Sequence, residues 1–421
     1  MTDGALFAKS DEELVEHYGS PLYVYDLERA TAALDDLTGS LPEGTVVYFS
    51  FKANPHPEIA RALRTSGAPL CRAEISSTGE LAAALAAGFD PADILYTGPG
   101  KTAGEVESAI DKGVHAFSVE SPGDLRRVGR AAAERGTTAD CLLRVNAAGA
   151  GAATSIRMTG APSQFGFDGE TLPDLMDELR SVPGTRLSGM HLFSLSNAKD
   201  EDALVTEFRH TIAAAAEVRD ATGLDPALLD IGGGFASPYL RPGTRPVYSG
   251  LRAALEDTLD AHFPDWRQGS PRVACESGRY LTGDCGRLVC TVTNVKESRG
   301  STFAVLDAGI NTLGGMSGLG RLLPVSVGLD TGTPEDASTE TGGWTTANLV
   351  GPLCTPGDLL GRNVSVPALR PGDVVTIPNA GAYGMTASLL MFLGRPAPTE
   401  VITRGDEVVS ASRIHFTRIY E

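Results

Sequence analysis

Short apolar runs and amphipathic stretches alternate along the first two thirds of the chain. The runs are rich in Val, Ile, Leu and aromatic residues, and the stretches between them are rich in Ala, Leu and Glu, which is typical of strands that alternate with helices. After a short strand at Pro21–Asp26, eight strands are predicted, near Val46–Ser50, Pro69–Ile75, Ile94–Thr97, Ala116–Val119, Cys141–Val145, Leu187–His191, Leu228–Ile231 and Val273–Glu276. The helices predicted between them lie at Glu58–Thr65, Gly79–Ala87, Ala103–Lys112, Pro122–Glu134, Leu172–Leu179, Asp202–Thr222 and Gly250–His262. Eight strands in this alternation indicate a (β/α)8 barrel.

The pattern changes after Glu276, where short strands separated by Gly, Pro and Asp turns replace the alternation. These strands are predicted at Leu288–Val295, Phe303–Asp307, Asn348–Val350, Val374–Pro378 and Ile414–Tyr420. The polar stretch from Gly328 to Gly343 is expected to be an exposed loop. We therefore expect a barrel over residues 31–276 and a β domain over residues 277–421, with residues 1–30 joining the β domain.

Composition favours small-molecule chemistry over binding to nucleic acids or membranes. The chain has 421 residues, of which 42% are hydrophobic, enough for a large core and two domains. Its net charge of −18 repels nucleic acids and anionic membranes. No apolar run is long enough to span a bilayer and the first residues start no signal peptide, so we expect a cytoplasmic protein. The six cysteines show no paired metal-ligand spacing, and we expect neither a metal site nor disulfides.

Lys52 ends the first long apolar run. That run is β-branched and aromatic, and Asn54-Pro55 stops it directly after the lysine. A lysine at the mouth of a buried strand is partly desolvated, which disfavours its ammonium form and frees the amine for Schiff-base chemistry. The competing interpretation is a strand-end lysine that extends into water.

Three further features lie at the predicted C-terminal ends of strands, where such barrels build their active sites. They are His191, the triplet Gly232–Gly234 and Glu276. Each alone has a structural explanation: a hydrogen-bonded core histidine, a tight turn, or a carboxylate paired with Arg279. Together with Lys52 they match the needs of a phosphorylated pyridine cofactor, which are an amine for its aldehyde, an aromatic face, phosphate donors and a carboxylate at the ring nitrogen.

Two nucleotide-binding motifs are excluded. The glycine triplet lacks the spaced glycines of a dinucleotide fingerprint. The stretch Gly98–Thr102 ends like a P-loop, but Leu95 occupies the position of the first P-loop glycine, so an NTPase is not expected.

Five ordered motifs resemble those of the fold-type III pyridoxal-phosphate decarboxylases, the diaminopimelate and ornithine decarboxylase family. They are Tyr48–Pro55, Gly232–Phe235, Glu276–Arg279, Gly351–Asp358 and Gly381–Gly384. The resemblance covers nearly the whole chain. It implies an alanine-racemase-like barrel with a C-terminal β domain, pyridoxal 5'-phosphate as the cofactor, and an obligate homodimer with shared active sites.

The resemblance also implies roles for individual residues. Lys52 is the Schiff-base lysine, His191 stacks on the cofactor ring, and Glu276 faces the pyridinium nitrogen. The remaining cofactor contacts, most of them to the phosphate, are implied for Ser194, Gly232, Gly233, Gly234, Gly278, Arg279 and Tyr383.

Cys354 is implied to act in the active site of the partner subunit. There it would protonate the carbanion as a general acid, a role that needs reach more than an unusual pKa. The competing interpretation is a buried structural cysteine.

Thr355 is the departure from the family that bears on the substrate. Diaminopimelate and ornithine enzymes usually place an acidic residue directly after this cysteine, where it meets the distal part of a charged substrate. A distal ammonium would lose that partner here, and an unpaired buried charge is costly. Asp307 and Asp358 are expected to line the substrate end, although either could cap a turn instead.

Local sequences within the family look most like the decarboxylase of the butirosin pathway and its macrolactam-pathway relatives. The matching stretches include Ser155–Gly160, Gln164–Gly166 and Cys354–Pro356. These enzymes act on glutamate or 3-methylaspartate tethered to an acyl carrier protein, so the resemblance implies a natural-product enzyme with a carrier-bound acidic substrate. Because carrier proteins are usually acidic, docking would need a local basic patch, with Arg157 or Arg321 as candidates; Arg157 is also an expected substrate contact.

Two other functions stay open. A free-amino-acid decarboxylase of the diaminopimelate type would act without any carrier. A non-catalytic pyridoxal-phosphate protein would also have a barrel and a lysine, but Glu276 and Cys354 are not needed merely to hold the cofactor.

Overall fold

The computed structural model describes residues 10–66, 71–147, 162–198, 200–314, 326–330 and 344–420. The chain divides into two units, each described here as far as these residues go. The barrel unit comprises Ala32–Ala236 and Pro246–Gly278, and the β unit comprises Met1–Thr31, Ser237–Arg245 and Arg279–Glu421.

Three elements precede the first barrel strand: α1 (Asp11–Tyr18), β1 (Leu22–Asp26) and α2 (Leu27–Gly39). The first helix begins at Ser10, whose hydroxyl accepts a hydrogen bond from the Glu13 amide while the Glu13 carboxylate accepts one from the Ser10 amide. This capping box satisfies two amides that the first turn leaves without helical partners.

Eight parallel strands close the barrel. In chain order the strands of this unit are β2 (Val46–Ser50), β3 (Cys71–Ile75), β4 (Ile94–Tyr96), β5 (Ala116–Val119), β6 (Ala139–Asn146), β7 (Phe167–Asp168), β8 (Thr185–His191), β9 (Leu228–Asp230) and β10 (Arg272–Ser277). The pairing runs β5-β4-β3-β2-β10-β9-β8-β6 and closes between β5 and β6, with the short β7 added beside β6. All eight predicted strands are confirmed, with ends that shift by at most two residues.

Helices follow the barrel strands as predicted. They are α3 (Pro57–Thr65), α4 (Thr78–Ala86), α5 (Ala103–Asp111), α6 (Pro122–Glu134), α7 (Leu172–Arg180), α8 (Glu201–Thr222) and α9 (Leu251–His262). Side-chain oxygens of Ser77, Thr102, Ser121 and Asp200 accept hydrogen bonds from the first turns of four of them. Apolar side chains from alternate strands β2, β4, β6 and β9 form a buried cluster with Ala274 of β10, which is the layered packing expected inside such a barrel.

A mixed sheet forms the β unit. Its elements are α10 (Arg279–Thr282), β11 (Gly286–Ser298), β12 (Ser301–Leu306), β13 (Trp344–Val350), β14 (Leu359–Pro367), β15 (Val374–Ile377), β16 (Thr399–Arg404) and β17 (Glu407–Arg413). The strands pair in the order β14-β13-β12-β11-β1-β16-β17, and β15 pairs with β11. The N-terminal strand β1 thus lies between an antiparallel and a parallel neighbour.

The predicted strand at Ile414–Tyr420 is wrong. These residues form no strand, and the chain's last hairpin is β16–β17, which turns at Gly405 with φ 54°. The apolar residues of 414–420 suggested a strand, but a strand also needs a hydrogen-bonding neighbour, which an apolar pattern does not supply. Most of the predicted loop Gly328–Gly343 lies outside the described residues. No helix in the described part of the chain is long and apolar enough to cross a membrane.

Candidate active site

Lys52 lies directly beyond β2, and its side chain is 42% exposed. Its Nζ lies 3.1 Å from Glu74 Oε2 and 3.6 Å from Glu276 Oε2. The Phe193 ring centroid is 5.6 Å from the same nitrogen. The amine is therefore reachable from solvent and oriented by two buried carboxylates, which stabilise its protonated form. The expected desolvation that would favour the neutral amine is not found here.

His191 ends β8 and faces Glu276 of β10, with both side chains almost fully buried. Its Nε2 lies 3.1 Å from Glu276 Oε1. The two atoms are not aligned for a hydrogen bond, and neither has another hydrogen-bond partner among the described residues. Burial opposes the charge on Glu276, but Lys52, His191 and Arg144 outweigh it and hold the pKa of Glu276 well below its usual value. Glu276 is therefore an ionised carboxylate in a buried position.

Asp230 ends β9 beside the same pair. One of its oxygens accepts a 2.9 Å hydrogen bond from the Gly232 amide, and the other is buried without a described partner. Burial raises the pKa of Asp230 to about 7, with Glu276 acting in the same direction and His191 against it. Donor atoms of Asp230, His191 and Glu276 lie within 4.8 Å of one another, a spacing that could also hold a metal ion. The predicted absence of a metal stays a prediction.

The glycine triplet follows β9, and no other residue type fits there. Gly232 and Gly234 have φ values of 76° and 114°, a region that residues with side chains rarely adopt. A Cβ at Gly232 would lie 2.5 Å from the Leu192 carbonyl oxygen, and one at Gly233 would lie 2.5 Å from that of Glu276. The backbone here is bare of side chains, as an anion-binding loop requires.

Three charged residues of the barrel unit were not singled out from the sequence. Glu74 is the penultimate residue of β3, is 1% exposed, and accepts hydrogen bonds from Lys52 and from the Thr97 hydroxyl. Glu120 and Arg144 form a buried ion pair at 3.0 Å. Glu120 directly follows a predicted barrel strand, and Glu74 and Arg144 are the penultimate residues of two others, so a search around the C-terminal ends of the strands could also have found them.

Ser194 and Gly278 are held by packing within the barrel unit. The buried Ser194 hydroxyl lies 3.1 Å from Thr211 Oγ1 of α8. A Cβ at Gly278 would lie 2.7 Å from the Cβ of Ala53, the residue after the lysine. Glycine at this position therefore lets the end of β10 approach the lysine segment.

Arg279 and Tyr383 lie together in the β unit. The Arg279 guanidinium carbon is 4.9 Å from the ring centre of Tyr383 and 5.2 Å from that of Tyr239. Tyr383 has φ 51°, a sparsely populated conformation for a residue with a side chain. Its carbonyl accepts a 3.3 Å hydrogen bond from the Tyr239 hydroxyl. Such local backbone strain often occurs at ligand sites.

Cys354 is exposed on a loop that Asp358 organises from within. The two carboxylate oxygens of Asp358 accept hydrogen bonds from the amides of Ile310 and Leu353, at 2.8 and 2.7 Å. Burial raises the pKa of Asp358, and these hydrogen bonds oppose the rise. The alternative of a buried structural cysteine is therefore wrong, because the loop presents the thiol to solvent.

The other expected substrate contacts are placed as follows. The Thr355 hydroxyl oxygen accepts a 3.3 Å hydrogen bond from the Gly357 amide. Asp307 accepts a 3.0 Å hydrogen bond from the Thr291 amide, and burial raises the pKa of its carboxyl. Arg157 lies outside the described residues.

The barrel residues fit a phosphorylated pyridine cofactor. His191 Nε2 and Glu276 Oε1 are buried polar atoms without described hydrogen-bond partners, and a protonated ring nitrogen would satisfy such a carboxylate. Lys52 places an amine 3.6 Å from the same carboxylate group. The bare backbone of Gly232–Gly234 leaves room for a phosphate.

Comparisons with known proteins point to the same cofactor, a pyridoxal group. Residues 27–283 match the family model for the pyridoxal binding domain of pyridoxal-dependent decarboxylases. The L-glutamyl-[BtrI acyl-carrier protein] decarboxylase of Niallia circulans is 31% identical over 402 residues, covering 93% of this chain and 90% of that protein. The diaminopimelate decarboxylase of Methanothermobacter thermautotrophicus is 31% identical over 410 residues, covering 94% and 89%. The crystal structure of Helicobacter pylori diaminopimelate decarboxylase complexed with L-lysine has a TM-score of 0.79 at 23% identity and covers 95% of each chain.

Proposed function

Because this chain belongs to the pyridoxal-dependent decarboxylase family, we propose that it decarboxylates an acidic amino acid held as a thioester on an acyl carrier protein. The cofactor, pyridoxal 5'-phosphate, and the reaction class, amino-acid decarboxylation, follow from the family. The candidate substrates are glutamate and 3-methylaspartate in natural-product biosynthesis.

The observation that carries this proposal is the lack of a free carboxylate on the loop Gly351–Asp358. The loop contains one acidic residue, Asp358, and both of its oxygens are occupied by backbone amides. The position after Cys354 is the uncharged Thr355. A free diamino acid would bring an ammonium group to a loop with no carboxylate to receive it, and an unpaired charge in a closed site is costly.

Arg395 gives this loop a positive neighbour. Its Nη2 donates a 3.2 Å hydrogen bond to the Pro352 carbonyl. Burial raises the pKa values of the nearby Asp307 and Asp358 carboxyls, and the charge of Arg395 opposes that rise. A cationic side chain beside the loop disfavours a distal ammonium, whereas a distal carboxyl held as an uncharged thioester meets no repulsion there.

Sequence similarity alone does not choose the substrate. The Niallia circulans protein, named for a carrier-linked glutamyl substrate, and the Methanothermobacter protein, named for diaminopimelate, are both 31% identical to this chain. The choice between a carrier-linked and a free substrate therefore rests on the chemistry of the loop Gly351–Asp358.

Each of four residues would have a separate role in the reaction. Lys52 would bind the cofactor aldehyde through Nζ, and Glu276 would keep a proton on the ring nitrogen because it is ionised and buried. The bound cofactor supplies a sink for the electrons left when carbon dioxide departs. Glu74 would orient the Lys52 amine and hold its proton. Cys354, on its exposed loop, would return a proton to the carbon that loses carbon dioxide.

The remaining cofactor contacts are also part of the proposal. They are His191 on the ring face and, for the most part on the phosphate, Ser194, Gly232, Gly233, Gly234, Gly278, Arg279 and Tyr383. The bare glycine backbone and the cationic Arg279 support a phosphate role, because both amides and guanidinium groups bind anions.

We propose that the protein is a homodimer in which Cys354 acts in the active site of the partner subunit. Support comes from large apolar side chains that two segments of the β unit expose: Leu389, Met391, Phe392, Leu393, Ile414 and Phe416. Some of them line a groove of about 260 Å³. Exposed apolar surface of this kind is typical of an interface between protein chains. The basic patch expected at Arg157 or Arg321 for carrier docking lies outside the described residues and stays a prediction.

Mass-spectrometric detection of carbon dioxide loss tests the proposed substrate class. Glutamate, aspartate and 3-methylaspartate are each offered free and as a carrier-protein or pantetheine thioester of the side-chain carboxyl, which leaves the α-carboxylate free to depart; diaminopimelate, ornithine and lysine are offered free. We expect loss from a tethered acidic amino acid only. If a free diamino acid is decarboxylated at a rate comparable with that of the tethered substrate, the carrier-linked proposal is wrong and the protein is a diaminopimelate-type decarboxylase.

A further inference from the structure

Ser118 lies fully buried on β5, and its Oγ is 2.7 Å from His191 Nδ1. A hydroxyl can donate or accept, so the contact alone does not locate the proton. The surroundings of the second ring nitrogen, Nε2, indicate which nitrogen carries the proton. Nε2 lies 3.1 Å from the ionised Glu276 carboxylate, whose charge favours a proton on Nε2. In a neutral ring Nδ1 then carries the lone pair, and the Ser118 hydroxyl donates to it.

We infer that Ser118 is a positioning residue that, by donating to Nδ1, reinforces the Nε2-protonated tautomer that Glu276 favours and fixes the plane of the His191 ring. The hydroxyl is the hydrogen-bond partner that the structure provides for Nδ1. A buried imidazole with one fixed hydrogen bond cannot rotate without leaving a polar atom unsatisfied. Ser118 touches His191 and acts on the reaction through it.

Lys101 holds the backbone of Ser118 in place. Its Nζ donates to the carbonyl oxygens of Gly98 and Ser118, at 2.5 and 2.8 Å, and lies 2.9 Å from Asp124 Oδ2. The side chains of Lys101 and Asp124 are 1% and 4% exposed. All three ammonium protons therefore have partners, and displacement of the strand would leave a buried charge uncompensated.

This arrangement gives the P-loop-like stretch Gly98–Thr102 a structural use. Its lysine binds the backbone of the next barrel strand, and the Thr102 hydroxyl caps α5. The residues that mimic a nucleotide motif thus support the strand that carries Ser118, and through it the orientation of His191.

Removal of the hydroxyl tests the inference in three variants. Ser118→Ala removes the donor, and Ser118→Thr keeps it. Ser40→Ala is the matched control, because Ser40 is also a buried serine whose hydroxyl donates a hydrogen bond, to the Asp36 carbonyl. The main readout is the pair of imidazole ¹⁵N shifts of His191 in cofactor-free protein labelled with ¹⁵N-histidine, assigned with His191→Gln.

We expect wild type, Ser118→Thr and Ser40→Ala to share one tautomer with a proton on Nε2. In Ser118→Ala the Nδ1 shift should move towards the average of two tautomers. The cofactor dissociation constant should rise and kcat should fall, each by about tenfold, as for loss of one buried hydrogen bond. Should Ser118→Ala fail to fold, Ser118→Cys, with its weaker donor, replaces it with the same expectations. Unchanged His191 shifts in the variant without a hydroxyl, or equal defects in Ser118→Thr, would overturn the inference.

Discussion

Lys52 donates a 3.1 Å hydrogen bond to Glu74, a buried carboxylate at the end of the neighbouring strand. Glu74 also accepts a hydrogen bond from Thr97. The proposed reactive amine is therefore oriented by a side chain that is itself fixed. This carboxylate would hold the Lys52 amine and its proton.

Glu74→Gln should lower kcat/KM by about ten- to a hundredfold at saturating cofactor, because a charge-assisted hydrogen bond to the amine becomes a neutral one. Steady-state rates of carbon dioxide release measure this. Glu105→Gln is the control, since Glu105 caps α5 at the surface of the same unit. Equal rates in both variants would show that Glu74 is only structural.

Gly233→Ala should abolish cofactor binding. The added Cβ would lie 2.5 Å from the Glu276 carbonyl oxygen, so either the glycine loop or the end of β10 must move. Gly100→Ala is the matched control, because a Cβ there meets nothing within 4 Å. Cofactor binding is measured by titration followed by absorbance. Tm is measured in parallel, which separates loss of cofactor binding from loss of stability. Normal cofactor binding by Gly233→Ala would contradict the proposed phosphate site at Gly232–Gly234.

Glu400 should make the fold less stable as pH rises. Burial raises the pKa of Glu400 from 4.5 to about 7, and a hydrogen bond from Tyr25 opposes the rise. An acid with a raised folded pKa destabilises the fold above its unfolded value, and the penalty grows until pH passes the folded value. Relative to Glu400→Gln, wild type should lose about 2 kcal/mol of unfolding free energy between pH 5 and pH 8. Urea unfolding at both pH values checks this, and parallel pH profiles of the two proteins would contradict it.

Mixing inactive subunits tests whether Cys354 acts across a dimer. Lys52→Ala and Cys354→Ala proteins are each expected to be inactive or to lose product fidelity. After denaturation and joint refolding, random pairing should restore about a quarter of the native sites, because each mixed dimer has one intact pair of residues. The same recovery is not possible if Cys354 serves its own subunit, so a mixture no better than its components would contradict shared sites.

The barrel strands were predicted well because most of them centre on a short apolar run between helical stretches, a local pattern that needs no knowledge of the pairing partners. Lys52, His191 and Glu276 were found because a charged or polar residue at the end of such a run is unusual. Glu74 lies one residue before the end of β3, and Arg144 lies two residues before the end of β6, so a search near the strand ends could have found both.

Other features depend on three-dimensional pairing that the sequence does not display. The strand predicted at Ile414–Tyr420 has suitable residues but no neighbouring strand, whereas β16 and β17 pair around Gly405. Cys354 is exposed because Asp358 holds its loop in place. Asp358 accepts hydrogen bonds from the amides of Leu353, in the same loop, and of Ile310, which is distant in sequence. Such contacts between distant segments are set by the fold.

A competition assay tests the central claim most directly. Equal concentrations of L-glutamyl carrier protein and free diaminopimelate, one labelled with ¹³C in the departing carboxylate, are offered to the holoenzyme together, and the isotope of the released carbon dioxide is followed by mass spectrometry. We predict that the carbon dioxide released early comes almost entirely from the tethered acidic substrate. Carbon dioxide released mainly from free diaminopimelate would contradict it.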